Sequence, residues 1–452
     1  MKPKKGQEIE LKIDRLVYGG EGIADFEGFK IFVDAVCPGD LALTRVIKVR
    51  SNYAEAKLLK IVKESPLRIK PKCKHFTTCG GCKWQFLPYE EQVKIKEEQV
   101  CDAITRLGGL DAKLVQKIIA NSTEFFYRNK LELSFGKGKN GEMELGFYPP
   151  GYHHEVCDLE ECFLESEEVA KIVKIVRKWA NDYSALGLRS LTIREGKNTG
   201  ERMLILTVSD AEFEASPFDA KESFKELFSK NKSVSSLYLS KVSQIKGQPT
   251  VITDVFLAGK ETLNEVLLLP EGEKLSFEIL PGAFFQTNTV QAQVLYAKAL
   301  ELASLTGSEI VFDLYSGTGT IGLFCAHKAK KVICVEINES AVKNAKFNAE
   351  KNGIENVEFY LGAVEDKLDG LKEKPDIIIV DPPRAGLGEK VVETVSKFDA
   401  KKIVYVSCNP ATMARDLKQF GTLGYKTELV QPVDMFPQTH HTECVSLLTR
   451  VN

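Results

Sequence analysis

Apolar and polar positions alternate in the first part of the chain. Short alternating runs cover residues 9–13, 30–33 and 42–49, and glycine-rich turns lie between them at 19–22 and 38–40. Alternation with a period of two, bounded by such turns, is typical of short, half-buried strands. The pattern predicts a small β-barrel over residues 1–65.

The middle of the chain mixes two spacings, and we interpret residues 66–275 as an α+β region. Helical spacing of apolar residues covers 89–108 and 167–183. Runs typical of strands recur at 131–135, 191–194, 203–208, 236–239 and 250–254.

From residue 276 onward, short β-branched runs alternate with helical stretches. The predicted strands are 310–314, 332–335, 357–360, 377–380 and 403–406, and the predicted helices lie near 320–328, 339–352, 388–397 and 411–421. This alternation is the signature of a parallel, doubly wound sheet, so we expect a Rossmann-like α/β domain over 276–452. Such sheets place their chemistry at the carboxyl ends of the strands.

Composition narrows the class of protein. The chain has 452 residues, and none of its apolar runs approaches the ~18–20 residues of a membrane span. The basic start is not followed by the apolar segment of a signal peptide. Eleven cysteines, an odd number, do not fit a disulfide scaffold. We expect a cytoplasmic protein with metal-binding or reactive thiols and no membrane partner.

Charge is unevenly distributed along the chain. The formal net charge is only −2, yet residues 43–74 carry ten basic side chains against two acidic ones. Such an excess attracts phosphates at long range, although a solvated lysine-rich surface gives the same pattern.

A glycine loop, Ser316-Gly317-Thr318-Gly319, follows the first strand of the α/β region. Glycines let the backbone turn sharply and pass close to a ligand. Glu336, at the end of the next predicted strand, is placed to accept both ribose hydroxyls of an adenosine. The loop lacks the third glycine of the NAD fingerprint, so the pattern favours S-adenosylmethionine over NAD; a plain βα turn is the alternative.

Two residues near strand ends are candidates for catalysis. Cys408, in Ser407-Cys408-Asn409-Pro410, follows a predicted strand directly, as a nucleophile in such a sheet would. Glu443 precedes the last apolar run, 445–448, at the same predicted edge. The alternatives are a buried apolar thiol, which we assign to Cys325 and Cys334, and a surface acid.

A cysteine cluster precedes the first long helix. Cys73, Cys79 and Cys82 lie within ten residues, with two glycines between the last two cysteines. Cys162 or Cys157 is available as a fourth ligand. The spacing lacks the paired Cys-x-x-Cys units of structural zinc, so we favour a [4Fe–4S] cluster over zinc, with unliganded clustering as the alternative.

Taken together, these motifs resemble the RNA 5-methyluridine methyltransferases over essentially the whole chain. The resemblance includes Phe285-Gln286-Thr287-Asn288, Asp381-Pro382-Pro383-Arg384 and His441-Thr442-Glu443 in addition to the motifs above. It is most specific for the iron–sulfur branch that acts on 23S ribosomal RNA. It implies a TRAM (OB-like) RNA-binding barrel, a central domain with the cluster, and a class I methyltransferase domain onto which the helix near 89–108 packs.

The resemblance also assigns roles to residues. It implies Cys408 as nucleophile and Glu443 as base, with Arg384 a candidate for stabilising charge. It favours Cys162 over Cys157 as the fourth cluster ligand, beside Cys73, Cys79 and Cys82. The implied cofactor contacts are Gln286, Tyr315, Thr320, Glu336 and Asp381. One departure is Ala363, where relatives carry an acid that meets the adenine; Glu365 or a backbone group would have to replace it.

The expected activity is methylation of carbon 5 of uridine in RNA, with 23S ribosomal RNA as partner and no obligate protein partner. A transfer-RNA uridine-5 methyltransferase is the main alternative. Cytosine-5 and base-amine methyltransferases, a non-catalytic RNA-binding or redox-sensing protein, and an NAD dehydrogenase are the others.

Overall fold

The computed structural model describes residues 2–151, 154–216, 218–229, 231–244 and 247–451. The N-terminal part is a six-stranded sheet in the order β1-β5-β6-β4-β3-β2, antiparallel except for the β4–β6 pair. Its strands are β1 (Glu8–Lys12), β2 (Arg15–Leu16), β3 (Gly22–Phe26), β4 (Phe29–Val33), β5 (Leu41–Val49) and β6 (Tyr53–Lys63). β1 also lies against β3, so the sheet curls around its own apolar core.

The central part is a seven-stranded sheet in the order β13-β12-β11-β10-β7-β8-β9. The strands are β7 (Lys130–Lys137), β8 (Met143–Phe147), β9 (Cys157–Asp158), β10 (Leu188–Glu195), β11 (Arg202–Ser209), β12 (Ser236–Ser243) and β13 (Val251–Gly259). Three helices accompany it: α2 (Glu167–Tyr183), α3 (Asp210–Glu214) and α4 (Ala220–Ser229). Every third or fourth residue of α2 is apolar, and this stripe packs on the sheet.

A two-stranded hairpin, β14 (Leu263–Leu268) and β15 (Lys274–Ile279), leads into the C-terminal sheet. That sheet has the order β18-β17-β16-β19-β20-β22-β21. Its strands are β16 (Ile310–Leu314), β17 (Lys331–Glu336), β18 (Val357–Leu361), β19 (Ile377–Val380), β20 (Lys402–Ser407), β21 (Tyr425–Val433) and β22 (Glu443–Arg450).

Helices cover both faces of the C-terminal sheet. They are α5 (Thr289–Ala303), α6 (Thr320–Ala326), α7 (Glu339–Lys351), α8 (Val364–Lys367), α9 (Glu389–Ser396) and α10 (Pro410–Thr422). Successive residues of one strand face opposite sides, so Val311 and Phe312 of β16 belong to two different apolar cores.

The predicted parallel arrangement holds for five of the seven strands of this sheet. β22 runs antiparallel to both β20 and β21. β21 and β22 are joined by residues 434–442 only, and a connection that short returns the chain in the opposite direction. The expectation of a wholly parallel sheet was therefore wrong at this edge, and the sheet is mixed.

A long helix, α1 (Tyr89–Arg106), packs on the C-terminal sheet although it precedes the central part in sequence. Val100 and Ile104 are buried in the same core as α10. Lys96 donates to Asp434 over 2.6 Å with both side chains fully buried, and the Tyr89 hydroxyl donates to the same carboxylate over 2.8 Å. Removing one partner of a buried ion pair is strongly destabilising, so this contact fixes α1. None of the described helices is long and apolar enough to cross a lipid bilayer.

Candidate active site

The candidate site lies where neighbouring strands end. β16, β19 and β20 are adjacent and parallel, so the glycine loop, Asp381 and Cys408 follow their carboxyl ends at one edge. β22 pairs with β20 in the opposite direction, with Cys444 opposite Ser407, so Glu443 starts at the same edge. The antiparallel strand that the sequence did not predict is therefore what carries Glu443 to Cys408.

The Ser-Cys-Asn-Pro segment has a local structural reason. Pro410 is the first residue of α10, and the Asn409 side chain accepts a hydrogen bond from the amide of Ala411. Asparagine at a helix cap and proline in the first turn are both favourable. The Asn409 side chain also donates to the carbonyl oxygen of Arg384 over 3.1 Å. Cys408 is thus held between the end of β20 and the segment that carries Arg384.

The ionisable groups of the cleft influence one another. Burial, together with Glu443 and Asp381, raises the pKa of the half-buried Cys408 to about 11, and Arg384 opposes the increase. Burial and then Asp381 raise the pKa of Glu443 to about 8, again opposed by Arg384. Burial raises the pKa of Asp381 to about 7. The cleft therefore disfavours several negative charges at once, and Arg384 is the cation that counters them.

The glycine loop and Glu336 form one unit. Gly317 and Gly319 have φ of 54° and 77°, and Tyr315 has φ of 65°, where a side chain is strained. One carboxylate oxygen of Glu336 accepts from the amide of Gly317 over 2.9 Å, and the other accepts from the amide of Asn338 over 2.8 Å. The acid at the end of β17 therefore lies against the glycine loop, as expected for a ribose contact.

Other predicted cofactor residues surround this loop. Thr320 begins α6, and its hydroxyl is 3.2 Å from that of Thr318. Thr318 donates to the carbonyl oxygen of Phe284, which brings the segment of Gln286 to the loop. The main-chain carbonyl of Gln286 in turn accepts from the Asn129 amide over 2.8 Å. Gln286, Thr320 and Glu336 thus meet at one glycine loop.

Two acids near the loop deserve separate description. Buried Asp313 accepts from the amide of Gly322 over 2.8 Å, and burial raises its pKa to about 8. It ties β16 to the start of α6, a role the sequence did not suggest. Burial, with Glu365 next, raises the pKa of Tyr315 to about 12. Glu365 is therefore near Tyr315, whereas Ala363 offers no polar side chain there.

A second thiol site lies beside the central sheet. Cys73, Cys79, Cys82 and Cys162 line one cavity together with Arg128 and several apolar side chains. Cys157, although a described residue, is not among the lining residues, and its thiol lies 3.8 Å from Nδ1 of His75. Within the described residues, no three His, Cys, Asp or Glu side chains converge as ligands of a single metal ion do. The structure thus brings Cys162 rather than Cys157 to the cavity, without a geometry for zinc.

Burial raises the pKa of Cys79, Cys82 and Cys162 to about 12, and that of Cys73 is also raised. Four thiolates together would be costly there without compensating positive charge.

Two residues at these sites had no clear signal in the sequence. Arg128 lines the cysteine cavity, and its guanidinium lies 5.8 Å from the centre of the Phe436 ring. Tyr18 of the barrel extends its hydroxyl to within 3.4 Å of the carbonyl oxygen of Cys408. Both contacts join segments about 300 residues or more apart, which local periodicity cannot reveal.

Comparison with known families matches this architecture. Residues 89–451 match the family described as tRNA (uracil-5-)-methyltransferase, and residues 2–59 match the TRAM domain. An uncharacterized RNA methyltransferase of Clostridium tetani is 38% identical over 99% of this chain and 97% of its own length. One from Bacteroides thetaiotaomicron is 39% identical over 95% of this chain and 98% of its own.

A solved structure covers nearly the whole fold. Pyrococcus abyssi tRNA (uracil-54, C5)-methyltransferase, in complex with S-adenosyl-L-homocysteine, superposes with a TM-score of 0.76 at 29% identity, over 97% of this chain and 99% of that one. The family predicted from the motifs is confirmed, as is the N-terminal TRAM domain. The chain belongs to the tRNA (uracil-5-)-methyltransferase family and is an RNA (uracil-5-)-methyltransferase that uses S-adenosylmethionine.

Proposed function

We propose that this enzyme methylates carbon 5 of a uridine through a covalent bond between Cys408 and carbon 6 of the base. The observation that carries the proposal is the meeting of Cys408, Glu443 and the glycine loop at one edge of the sheet. Carbon 5 of uracil is a poor nucleophile by itself. Addition of the Cys408 thiolate at carbon 6 converts the ring to an enolate and makes carbon 5 reactive.

The remaining steps restore the ring. S-adenosylmethionine, when bound, supplies an electrophilic methyl group to carbon 5. Glu443 then removes the proton from carbon 5 as general base, and the electrons of that bond expel the Cys408 thiolate from carbon 6. Arg384 favours both anions, because it lowers the pKa of Cys408 and of Glu443.

The cofactor pocket that we propose uses the residues around the glycine loop. Glu336 would bind the ribose, and Glu365 is the acid near Tyr315 that would replace the missing acid at Ala363. The full set of proposed cofactor contacts is Gln286, Tyr315, Thr320, Glu336 and Asp381.

The cysteine cavity fits a [4Fe–4S] cluster better than zinc. Four thiols line one space, yet they are not grouped around a single point, and a cubane keeps its ligands farther apart than one ion does. We propose Cys73, Cys79, Cys82 and Cys162 as its ligands. Methyl transfer involves no net oxidation, so the cluster would shape the protein rather than carry electrons.

The RNA target follows from chemistry and from the barrel. A base inside a duplex hides carbon 6, so the uridine must lie in a loop or leave the stack. We propose 23S ribosomal RNA as the substrate, because a barrel with a basic segment and the cysteine cluster occur together here. Transfer RNA is the second candidate, because the Pyrococcus abyssi enzyme is named for position 54 of that RNA.

Mapping distinguishes these targets. The position of 5-methyluridine is determined in total RNA from cells with the gene, without it, and complemented with Cys408→Ala. We expect one or more ribosomal sites to lose the methyl group in the deletion and to stay unmethylated with the variant. Loss at a transfer-RNA site instead would establish the second candidate, and an unchanged map would reject both.

A further inference from the structure

The loop between β2 and β3 of the barrel is built against the catalytic part of the molecule. Lys83 Nζ donates to the carbonyl oxygen of Gly19 over 3.0 Å, and Trp84 Nε1 donates to that of Gly20 over 3.3 Å. Gly20 has φ of 90°, and a Cβ there would lie 2.8 Å from Cδ of Lys83 and 3.3 Å from Cβ of His440. Only glycine fits that approach, so the loop is held in one place.

Tyr18 lies next to this fixed turn and reaches the cleft. Its hydroxyl is 3.4 Å from the carbonyl oxygen of Cys408, and its ring meets His440 edge to face, with centroids 6.1 Å apart. The side chain is nevertheless 40% exposed. Cys408, Arg384 and Glu443 are all near enough to influence its hydroxyl. A residue of the barrel therefore forms part of the wall beside the candidate nucleophile.

Further aromatic side chains continue this wall. The rings of His440 and His441 lie 4.0 Å apart at 42°, and His441 meets Phe436 edge to face. Among the described residues, Nδ1 of His440 is buried without a hydrogen-bond partner. Burial lowers the pKa of His440 to about 3 and that of His441 to about 4, so both rings are neutral at physiological pH. We call Tyr18, His440, His441 and Phe436 the aromatic wall.

We propose that Tyr18 is a substrate-positioning residue whose ring stacks on the nucleobase adjacent to the reacting uridine. A uridine that enters the cleft leaves its neighbour without a stacking partner, and an exposed aromatic ring beside the nucleophile replaces that partner. Its attachment to the barrel would align the RNA held there with Cys408. The inference deepens the proposed function and depends on it.

The alternative is that Tyr18 merely seals the junction between the barrel and the catalytic part. Stacking needs the ring and not the hydroxyl, whereas the 3.4 Å contact with Cys408 needs the hydroxyl. Tyr18→Phe and Tyr18→Ala therefore separate the two. Tyr183 is the matched control, because it is 50% exposed and its ring packs on Phe218 of the central part.

The test uses the full-length holoenzyme, unmodified ribosomal and transfer RNA from cells that lack the gene, and labelled S-adenosylmethionine. We expect Tyr18→Ala to raise KM for RNA by about tenfold or more, with kcat and cofactor affinity much less affected, since stacking on an aromatic side chain contributes mainly to binding. Tyr18→Phe should recover KM to within about threefold of wild type, because it retains the stacking ring. Tyr183→Ala should resemble wild type.

A spectroscopic measurement follows the stacking itself. In an RNA fragment with 2-aminopurine next to the methylated uridine, wild type and Tyr18→Phe should quench the fluorescence on binding at saturation, and Tyr18→Ala should not. Equal KM and equal quenching for wild type and Tyr18→Ala would overturn the inference while leaving methylation established. A Tyr18→Phe variant as impaired as Tyr18→Ala would overturn it in favour of the hydroxyl. Wild type that methylates none of these RNAs would overturn the proposed function itself.

Discussion

Two sites in this molecule keep thiols away from solvent, and their surroundings differ. Cys408 shares its cleft with two carboxyl groups and the guanidinium of Arg384. Cys73, Cys79, Cys82 and Cys162 face each other across a cavity whose other walls are largely apolar, with Arg128 as its cationic side chain. A single thiol beside an acid and a cation is equipped to add to a substrate and leave again. Four converging thiols instead call for an external source of positive charge.

The two sites are also physically linked. The residues that follow Cys82 hydrogen-bond to the loop between β21 and β22, because the amides of Lys83 and Trp84 both donate to the carbonyl oxygen of Gln438. That loop leads through His440 and His441 to Glu443. The cysteine site therefore bears on the geometry of the catalytic loop without touching the substrate. The following variants test how far the two kinds of thiol site differ.

The largest effect is expected at the catalytic thiol. Cys408→Ala should reduce methylation by about 10³-fold or more, because the ring can no longer be activated by covalent addition. Affinity for S-adenosylmethionine in calorimetry should persist, since the glycine loop is unchanged. Cys101→Ala, at a half-buried cysteine of α1, is the matched control and should remain active. Robust turnover by Cys408→Ala would reject the nucleophile.

Replacement of the base should stop the reaction at a later point. Glu443→Gln should lower kcat by about 10²–10⁴-fold, the range for loss of a general base. A covalent complex with RNA should accumulate, because the proton on carbon 5 is not removed and the thiolate is not released. Denaturing gels with labelled RNA detect that complex. Near-normal kcat without a complex would exclude Glu443 from this role.

At the second site, the expected loss is structural. Cys162→Ser should bind markedly less iron and lose the visible absorption of the purified protein, because a ligand of the cluster is gone. Cys157→Ser should retain both, since its thiol contacts His75 and does not line the cavity. Metal analysis and absorption spectra measure both variants. Equal loss of iron from the two would contradict the assignment of the fourth ligand.

The smallest effect is expected from the cation of the cleft. Arg384 lowers the pKa of Cys408 and of Glu443, so Arg384→Met should raise both pKa values. Activity requires both groups as anions, and kcat/KM of wild type should therefore rise with pH through about 8, the pKa of Glu443. In the variant, the rise should move to higher pH by about one unit or less, because Arg384 is exposed to solvent.

The pH profile itself is the measurement for Arg384. The deficit of Arg384→Met should shrink as the pH increases, because hydroxide progressively compensates for the missing cation. Lys418→Met, at an exposed lysine of α10, should leave the profile unchanged. A deficit that is constant across pH would indicate a role in RNA binding instead.

The sequence anticipated the elements of the catalytic sheet because their signals are local. The run 403–406 predicted β20, and Cys408 follows it in the structure. The direction of β22 was missed, since periodicity shows that a strand exists and not which neighbour it pairs with. Glu443 was nominated through the resemblance, but its approach to Cys408 depends on that pairing.

Other features could not be predicted for the same physical reason. Tyr18 and Cys408 are 390 residues apart, and Lys96 and Asp434 are 338 apart. A lysine inside a helical pattern predicts a solvated face, whereas Lys96 is fully buried because Asp434 receives its charge. Contacts of this kind arise only when the whole chain has folded.

The burial of Lys96 limits how this protein can be divided. A fragment that began after α1 would leave Asp434 in the interior without its cation and would uncover the apolar surface that Val100 and Ile104 occupy. Gene truncations that aim to isolate the methyl-transferring half should therefore yield insoluble material unless they start upstream of Tyr89. The first hundred residues are a structural requirement of the catalytic half as well as an appendage that meets RNA.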